Sequence, residues 1–166
     1  MREVMILTKE NLTEELNVLV STWSVLYTKL HNYHWYVTGP SFFTLHTKFE
    51  ELYNEVTASL DEYAERILSL GKKPTATLKE HLNLSLISEA TGDENPEKMV
   101  QTTIDDFTKI MNAIEKAMAT ASEVGDDRTE DLLSATYQSL EMEVKIKTRK
   151  IQKKWYKQQL MILQKL

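Results

Sequence analysis

Cysteine is absent from the 166 residues. That excludes disulfides and thiolate metal sites together, fits a reducing compartment, and leaves His, Asp and Glu as the strong ligands open to a metal. Glycine and proline are scarce, at four and three residues, which argues against a fold of many tight turns and against disorder. No run of about 18 apolar residues occurs, so no membrane span is expected. The opening MREVMILTKENL has a charge and a short apolar patch, but Lys9 and Glu10 follow at once and no small-residue cleavage site appears. It does not read as a signal peptide, and a cytoplasmic location is expected. Acidic residues are missing from one stretch: residues 145–166 hold eight basic side chains and no acidic one, against 12 basic and 25 acidic in residues 1–144. An acidic body concentrates cations, whereas a basic C-terminal segment suits phosphate, DNA included, or simply a solvated helix end.

What is present reads as helix. The 42% hydrophobic and 27% charged residues suit one all-α domain spanning residues 1–166, long enough to bury a core without staples. Asn11 and Glu14 have the spacing of a capping box, and Leu16, Leu19, Val20, Trp23, Leu26, Tyr27 and Leu30 recur at helical spacing, predicting a first helix over about 11–38. Gly39-Pro40 should end it. A second helix is expected over about 41–70, then a long connection with a short helix near 77–85, and further helices over about 97–123 and 127–155. Joining two parallel helices needs such a connection, so the pattern predicts a four-helix bundle with one crossover and a short helix or long loop within it.

His34 and His46 each stand six residues from Pro40, so an antiparallel hairpin turning there sets them at one height on neighbouring helices. Glu50 lies one turn beyond His46, and Glu65 one turn beyond Asp61. From Glu50 to Asp61 the angular offset is only about 20°, so these residues share a helix face. Axially they are far apart: about 22 Å from His46 to Asp61 at about 1.5 Å per residue, beyond the reach of metal–ligand bonds of about 2.0–2.2 Å. Either His34 and His46 are ordinary hydrogen-bonded residues and Asp61, Glu62 and Glu65 a solvated helix face, or the sites are separate and weak, or two chains pack about a two-fold axis so that the histidines of one meet the carboxylates of the other. A di-iron site inside one bundle would need Glu-x-x-His pairs, and none occurs in the sequence. Imidazole with carboxylate suits iron, zinc and manganese alike.

The stretches KLHNYHWYVTGPSFFTLHTKFEELY, DEYAERILSLGKKP and GDDRTEDLL resemble the Dps-like mini-ferritins, over roughly residues 10 to 143. The resemblance implies a four-helix bundle with a short helix in its crossover, assembled as a homododecamer that oxidises ferrous iron, typically with hydrogen peroxide, and stores ferric mineral in its hollow interior. It implies a dinuclear ferroxidase site between subunits, with His34 and His46 from one chain, Glu50 nearby, and Asp61 and Glu65 from the other. It also implies that Asp127 and Asp131 line an iron-entry pore at a three-fold axis, although acids at a helix start need no pore to explain them. Ser122 stands where some relatives carry a third acid. Trp35 and Tyr53 are local sinks for stray oxidising equivalents in this reading, or plain packing aromatics, and His31 has a supporting or surface role. After Glu143 the chain departs from the family, with Lys145 and Ile146-Lys147-Thr148 where relatives usually carry an apolar, Trp-containing segment. A DNA-binding stress protein working through residues 145–166 is the alternative reading.

Overall fold

The computed structural model describes the backbone of residues 2–163 and the side chains of residues 9–145. Five helices follow in order, α1 (Arg2–Tyr36), α2 (Phe42–Ser69), α3 (Leu78–Leu84), α4 (Pro96–Glu123) and α5 (Asp127–Leu163), and no strand occurs among the described residues. The described helices form an all-α bundle around one core.

Side-chain links show how the helices run. α1 and α2 form an antiparallel hairpin, touching at His34 and His46 at one end and, past the end of α2, at Lys72 and Glu10. Along α1 and α4 the partners descend as they rise, with Tyr33 near Glu94, Lys29 on Asp106 and Glu15 on Lys116, so these two are antiparallel as well. α2 and α4 are therefore parallel, which is why residues 70–95 must cross the length of the bundle. α5 returns antiparallel to α2, pinned by Arg66 to Asp126 at one end and Lys48 to Glu143 at the other.

Apolar periodicity accounts for the core. Leu12, Leu16, Leu19, Trp23, Leu26, Leu30 and Tyr33 on α1 meet Phe49, Leu52, Val56, Tyr63 and Ile67 on α2, with Phe107, Ile110 and Ile114 from α4 and Leu133 and Leu140 from α5. Tyr27, on the expected stripe, is instead 38% exposed because it faces outward beside His31. Two helices end in Schellman motifs: Lys72 N–H donates to the Ile67 carbonyl and Asp126 N–H to the Ala121 carbonyl. Each motif turns on a glycine at positive φ, Gly71 at 76° and Gly125 at 67°, where a Cβ would be strained.

Two expected boundaries are corrected. α1 begins at Arg2 rather than near residue 11. Asn11 lies inside the helix, and the Thr13 hydroxyl donates back to the Lys9 carbonyl, as it does in a continuous helix; nothing in the preceding residues breaks the ladder. α5 runs to Leu163 rather than to about 155, since no glycine or proline follows Gly125 to stop it. The crossover is fastened to α1: Asn17 accepts from Thr75 N–H, Thr22 accepts from Leu86 N–H, and buried His81 on α3 lies 3.4 Å from Ser21. Thr77 and Glu80 form a capping box at the start of α3.

Candidate metal centre

His34 closes the last turn of α1 and His46 lies in the second turn of α2. Their rings stack at 3.6 Å with planes 22° apart. His34 Nδ1 lies 2.9 Å from the His46 carbonyl, and His46 Nδ1 lies 2.8 Å from the His34 carbonyl. A carbonyl only accepts, so both Nδ1 atoms carry hydrogens, and in the neutral form of each ring the lone pair then lies on Nε2. Orienting a metal-binding imidazole through its other nitrogen in this way fixes the tautomer and the ring plane. Phe42 stacks on His46 at 4.9 Å, and Tyr53 stands edge-on to His34 at 5.5 Å, so neither ring is free to turn.

The carboxylates follow along α2. Glu50 is exposed one turn beyond His46, and Asp61 and Glu65 are exposed near the far end of the helix. Among the described residues, no group of three or more His, Asp or Glu side chains converges closely enough to hold a metal ion. One chain thus offers a nitrogen pair at one end of α2 and an oxygen pair at the other, about 22 Å away.

Around the histidines lies an aromatic rim. His31 stacks on Tyr53 at 3.8 Å, with Tyr27 at 4.3 Å and Trp35 at 5.3 Å from its ring. Its Nδ1 lies 3.0 Å from the Tyr27 carbonyl. Partial burial, with Glu50 and Tyr27 adding to it, holds the Tyr53 phenol above its usual value. Trp35, Tyr36 and Phe43 are 66%, 56% and 83% exposed, three large aromatic side chains open to solvent near this end of the α1–α2 hairpin.

Asp127 and Asp131 occupy the first turns of α5 and are exposed, as is Ser122 at the end of α4. Their neighbour Asp126 is committed elsewhere. It caps α5 by accepting from Thr129 N–H at 3.2 Å, and it takes the Arg66 guanidinium at 2.6 Å. Burial opposes its ionisation, but the bonds from Arg66 and Thr129 outweigh burial and hold the carboxyl below its ordinary value.

Sequence reasoning missed three charged pairs that hold the site's helices: Lys48 with Glu143, Arg66 with Asp126, and Lys29 with Asp106. Lys48 lies two residues beyond His46. Burial opposes its charge, and the hydrogen bonds to Glu143 and Glu51 prevail, holding the ammonium above its ordinary value. Of the basic segment 145–166, the side chains beyond Lys145, Ile151 and Trp155 among them, lie outside the described residues. Among the described residues, no helix is long and apolar enough to cross a membrane.

A family model described as a ferritin-like domain matches residues 13–153. The chain is 52% identical to the DNA protection during starvation protein 2 of Bacillus anthracis, over 77% of this chain and 88% of that one. A crystal structure of a Dps protein from Bacillus brevis superposes with a TM-score of 0.85 at 42% identity, covering 87% of this chain and 97% of the other. A Dps protein from Vibrio cholerae O1, described as a member of a broad superfamily of ferritin-like diiron-carboxylate proteins, superposes with a TM-score of 0.84 at 30% identity, over 87% and 91% of the two chains.

Proposed function

The chain belongs to the ferritin-like family, on its Dps branch, and from that premise we propose that it is a cytoplasmic ferroxidase and iron-storing mini-ferritin. Its substrates are ferrous iron and hydrogen peroxide. Its sites lie between two chains of a hollow homo-oligomer, a dodecamer, with His34, His46 and Glu50 from one chain and Asp61 and Glu65 from its neighbour.

The observation that carries this reading is the reciprocal lock of His34 and His46, which commits both Nδ1 atoms and leaves both Nε2 atoms for metal, while the carboxylates on the same face lie out of reach. A two-fold axis passing between two antiparallel α2 helices brings each oxygen pair to the other chain's nitrogen pair, and makes two equivalent sites at once. The exposed Trp35, Tyr36 and Phe43 beside the histidines supply apolar area for such an interface to bury.

Chemically, the donor set suits the reaction. Neutral imidazoles admit ferrous iron, and anionic Asp61 and Glu65 stabilise the ferric product more than the ferrous substrate, so oxidation is favoured at the site. Two ferrous ions give one electron each to hydrogen peroxide, which takes up two protons and leaves as two waters. Pairing the two electrons avoids release of hydroxyl radical. Zinc or manganese fits the same ligands and would occupy the site without this turnover. Acidic Asp127 and Asp131, repeated about a three-fold axis, would concentrate entering cations. Replacing His46 and Asp61 together by alanine is expected to slow the initial peroxide-dependent oxidation of ferrous iron by at least about tenfold, given that even outer-shell changes at metal sites cost about 10–100-fold; an unchanged rate refutes the site.

A second reading rests on one observation, the eight cations and no acids of residues 145–166 on a helix that continues to Leu163. This segment would contact DNA phosphates, in keeping with the DNA-protection name borne by the Bacillus anthracis relative.

A further inference from the structure

α2 and α5 are joined at their ends, by Lys48 to Glu143 and by Arg66 to Asp126 and Thr129. Between these links the seam leaves a cavity of about 60 Å3 in which apolar Leu52, Val56 and Leu140 alternate with Glu55 and Ser59 on α2 and Thr136 and Ser139 on α5, and whose inner wall includes Trp23 and Phe107. Trp23 is 1% exposed, and its indole Nε1–H has no hydrogen-bond acceptor among the described residues. The hydroxyl of Tyr63, whose ring meets Trp23 edge-on at 6.1 Å, is buried and has the Thr136 side chain beside it, without a hydrogen bond of good geometry.

Buried N–H groups left without an acceptor are rare, and each asks for one. A water molecule needs about 10–15 Å3 of space open to its centre and two to four polar partners. The seam offers room for more than one, and its lining includes Trp23 with the hydroxyl-bearing Ser59, Thr136 and Ser139 and the carboxylate of Glu55. Thr136 already donates to the Leu132 carbonyl at 3.0 Å, so its oxygen acts here as an acceptor, with the Tyr63 hydroxyl beside it competing for one lone pair. We propose that the α2–α5 seam is a built hydration site, in which one or two ordered waters accept from the Trp23 indole N–H and bond to the seam hydroxyls, completing the polar pairing of the bundle's interior. The ligand is neutral water rather than a cation, because the buried group that calls for a partner is a donor. The site is independent of the iron chemistry proposed above.

A crystal structure of the assembled full-length protein at atomic resolution, repeated under xenon pressure, tests this. Apolar cavities of protein interiors stay dry and take xenon, whereas hydrated ones do not. The expected result is ordered water within hydrogen-bond distance of Trp23 Nε1 and of at least one of the three hydroxyls, with no xenon at the seam. A dry cavity, xenon bound there, or a protein acceptor on Trp23 Nε1 overturns the proposal. Ser139→Ala, which removes a mouth hydroxyl and adds no volume, should lose a water from the seam and lower the melting temperature by a few degrees. In a Trp23→Phe background, where no donor remains to satisfy, the same change should cost measurably less; equal costs in the two backgrounds count against the proposal.

Discussion

Asp61 lies about 22 Å along α2 from His46 on nearly the same helix face, so neither can complete the other's site within one chain. Mixed assemblies turn that relation into a measurement. When His46→Ala chains are refolded together with Asp61→Ala chains, half of the two-fold pairs are mixed, and each mixed pair keeps one site with native ligands on both sides. Ferroxidase activity should return to about a quarter of the wild-type value, although each variant alone is nearly inactive. Activity that stays at the level of the separate variants rules out the shared site.

The mutual lock of the histidines predicts a stability effect separate from catalysis. His46→Ala removes the ring that stacks on His34 and the donor to the His34 carbonyl, while the His46 carbonyl still receives His34 Nδ1–H. The loss of one hydrogen bond costs about 1 kcal/mol. His46→Asn, which can still donate to that carbonyl, should recover part of the melting temperature without recovering iron oxidation. Recovery of both would mean that His46 acts through its hydrogen bond to the His34 carbonyl and not as a metal ligand.

Much of this site was legible in the sequence because it depends on local spacing. Gly39-Pro40 fixes the turn, and equal distances from it fix the register of His34 and His46; helical period alone separates them from Asp61. The ion pair of Lys29 with Asp106 was less visible, although each residue falls on its helix's apolar stripe, Lys29 three residues after Leu26 and Asp106 three after Thr103. Opposite charges on two core stripes are the signal, but pairing them requires the rotation and height of α4 against α1, which only packing decides. Asp126 was hidden differently: GDD offers two adjacent acids, and the Schellman turn at Gly125 selects the first as the cap.

Lys29 and Asp106 meet at 2.5 Å with side chains 2% and 3% exposed. Burial pushes the Asp106 carboxyl up, while Lys29 pulls it down. Removing one partner strands a charge in the core, so Lys29→Met should destabilise the protein by about 3–5 kcal/mol in denaturant unfolding. Combining it with Asp106→Leu should restore most of that loss, since a buried pair often does no better than apolar residues of similar volume. If the double variant is as unstable as the single one, the pair contributes more than charge balance.

His81 gives the crossover a pH dependence. Burial lowers its pKa, with Glu80 opposing weakly, so the folded protein holds it neutral while the unfolded chain takes up a proton below about 6.5. The sign is therefore a loss of stability on acidification, beginning near the ordinary histidine value and levelling off only below the folded one. Hydrogen exchange of the α3 amides should rise as pH falls below about 6.5, after correction for the intrinsic rate. His81→Gln should abolish the dependence; a profile unchanged by that substitution assigns it to other groups.

The basic segment is tested by truncation after Val144, which leaves the Lys48–Glu143 link in place. The remaining body has 12 basic and 25 acidic side chains and should repel DNA, so retention in the intact protein must come from the segment. Each phosphate neutralised contributes about −0.9 to the slope of log K against log salt, so eight contacts from one chain would give a slope of about −7, steeper where several segments of one oligomer engage together. The truncated protein should show no retention at any salt while oxidising ferrous iron at the intact rate. DNA retention that survives truncation would locate the contact on the body, against its charge, and would remove residues 145–166 from the binding model.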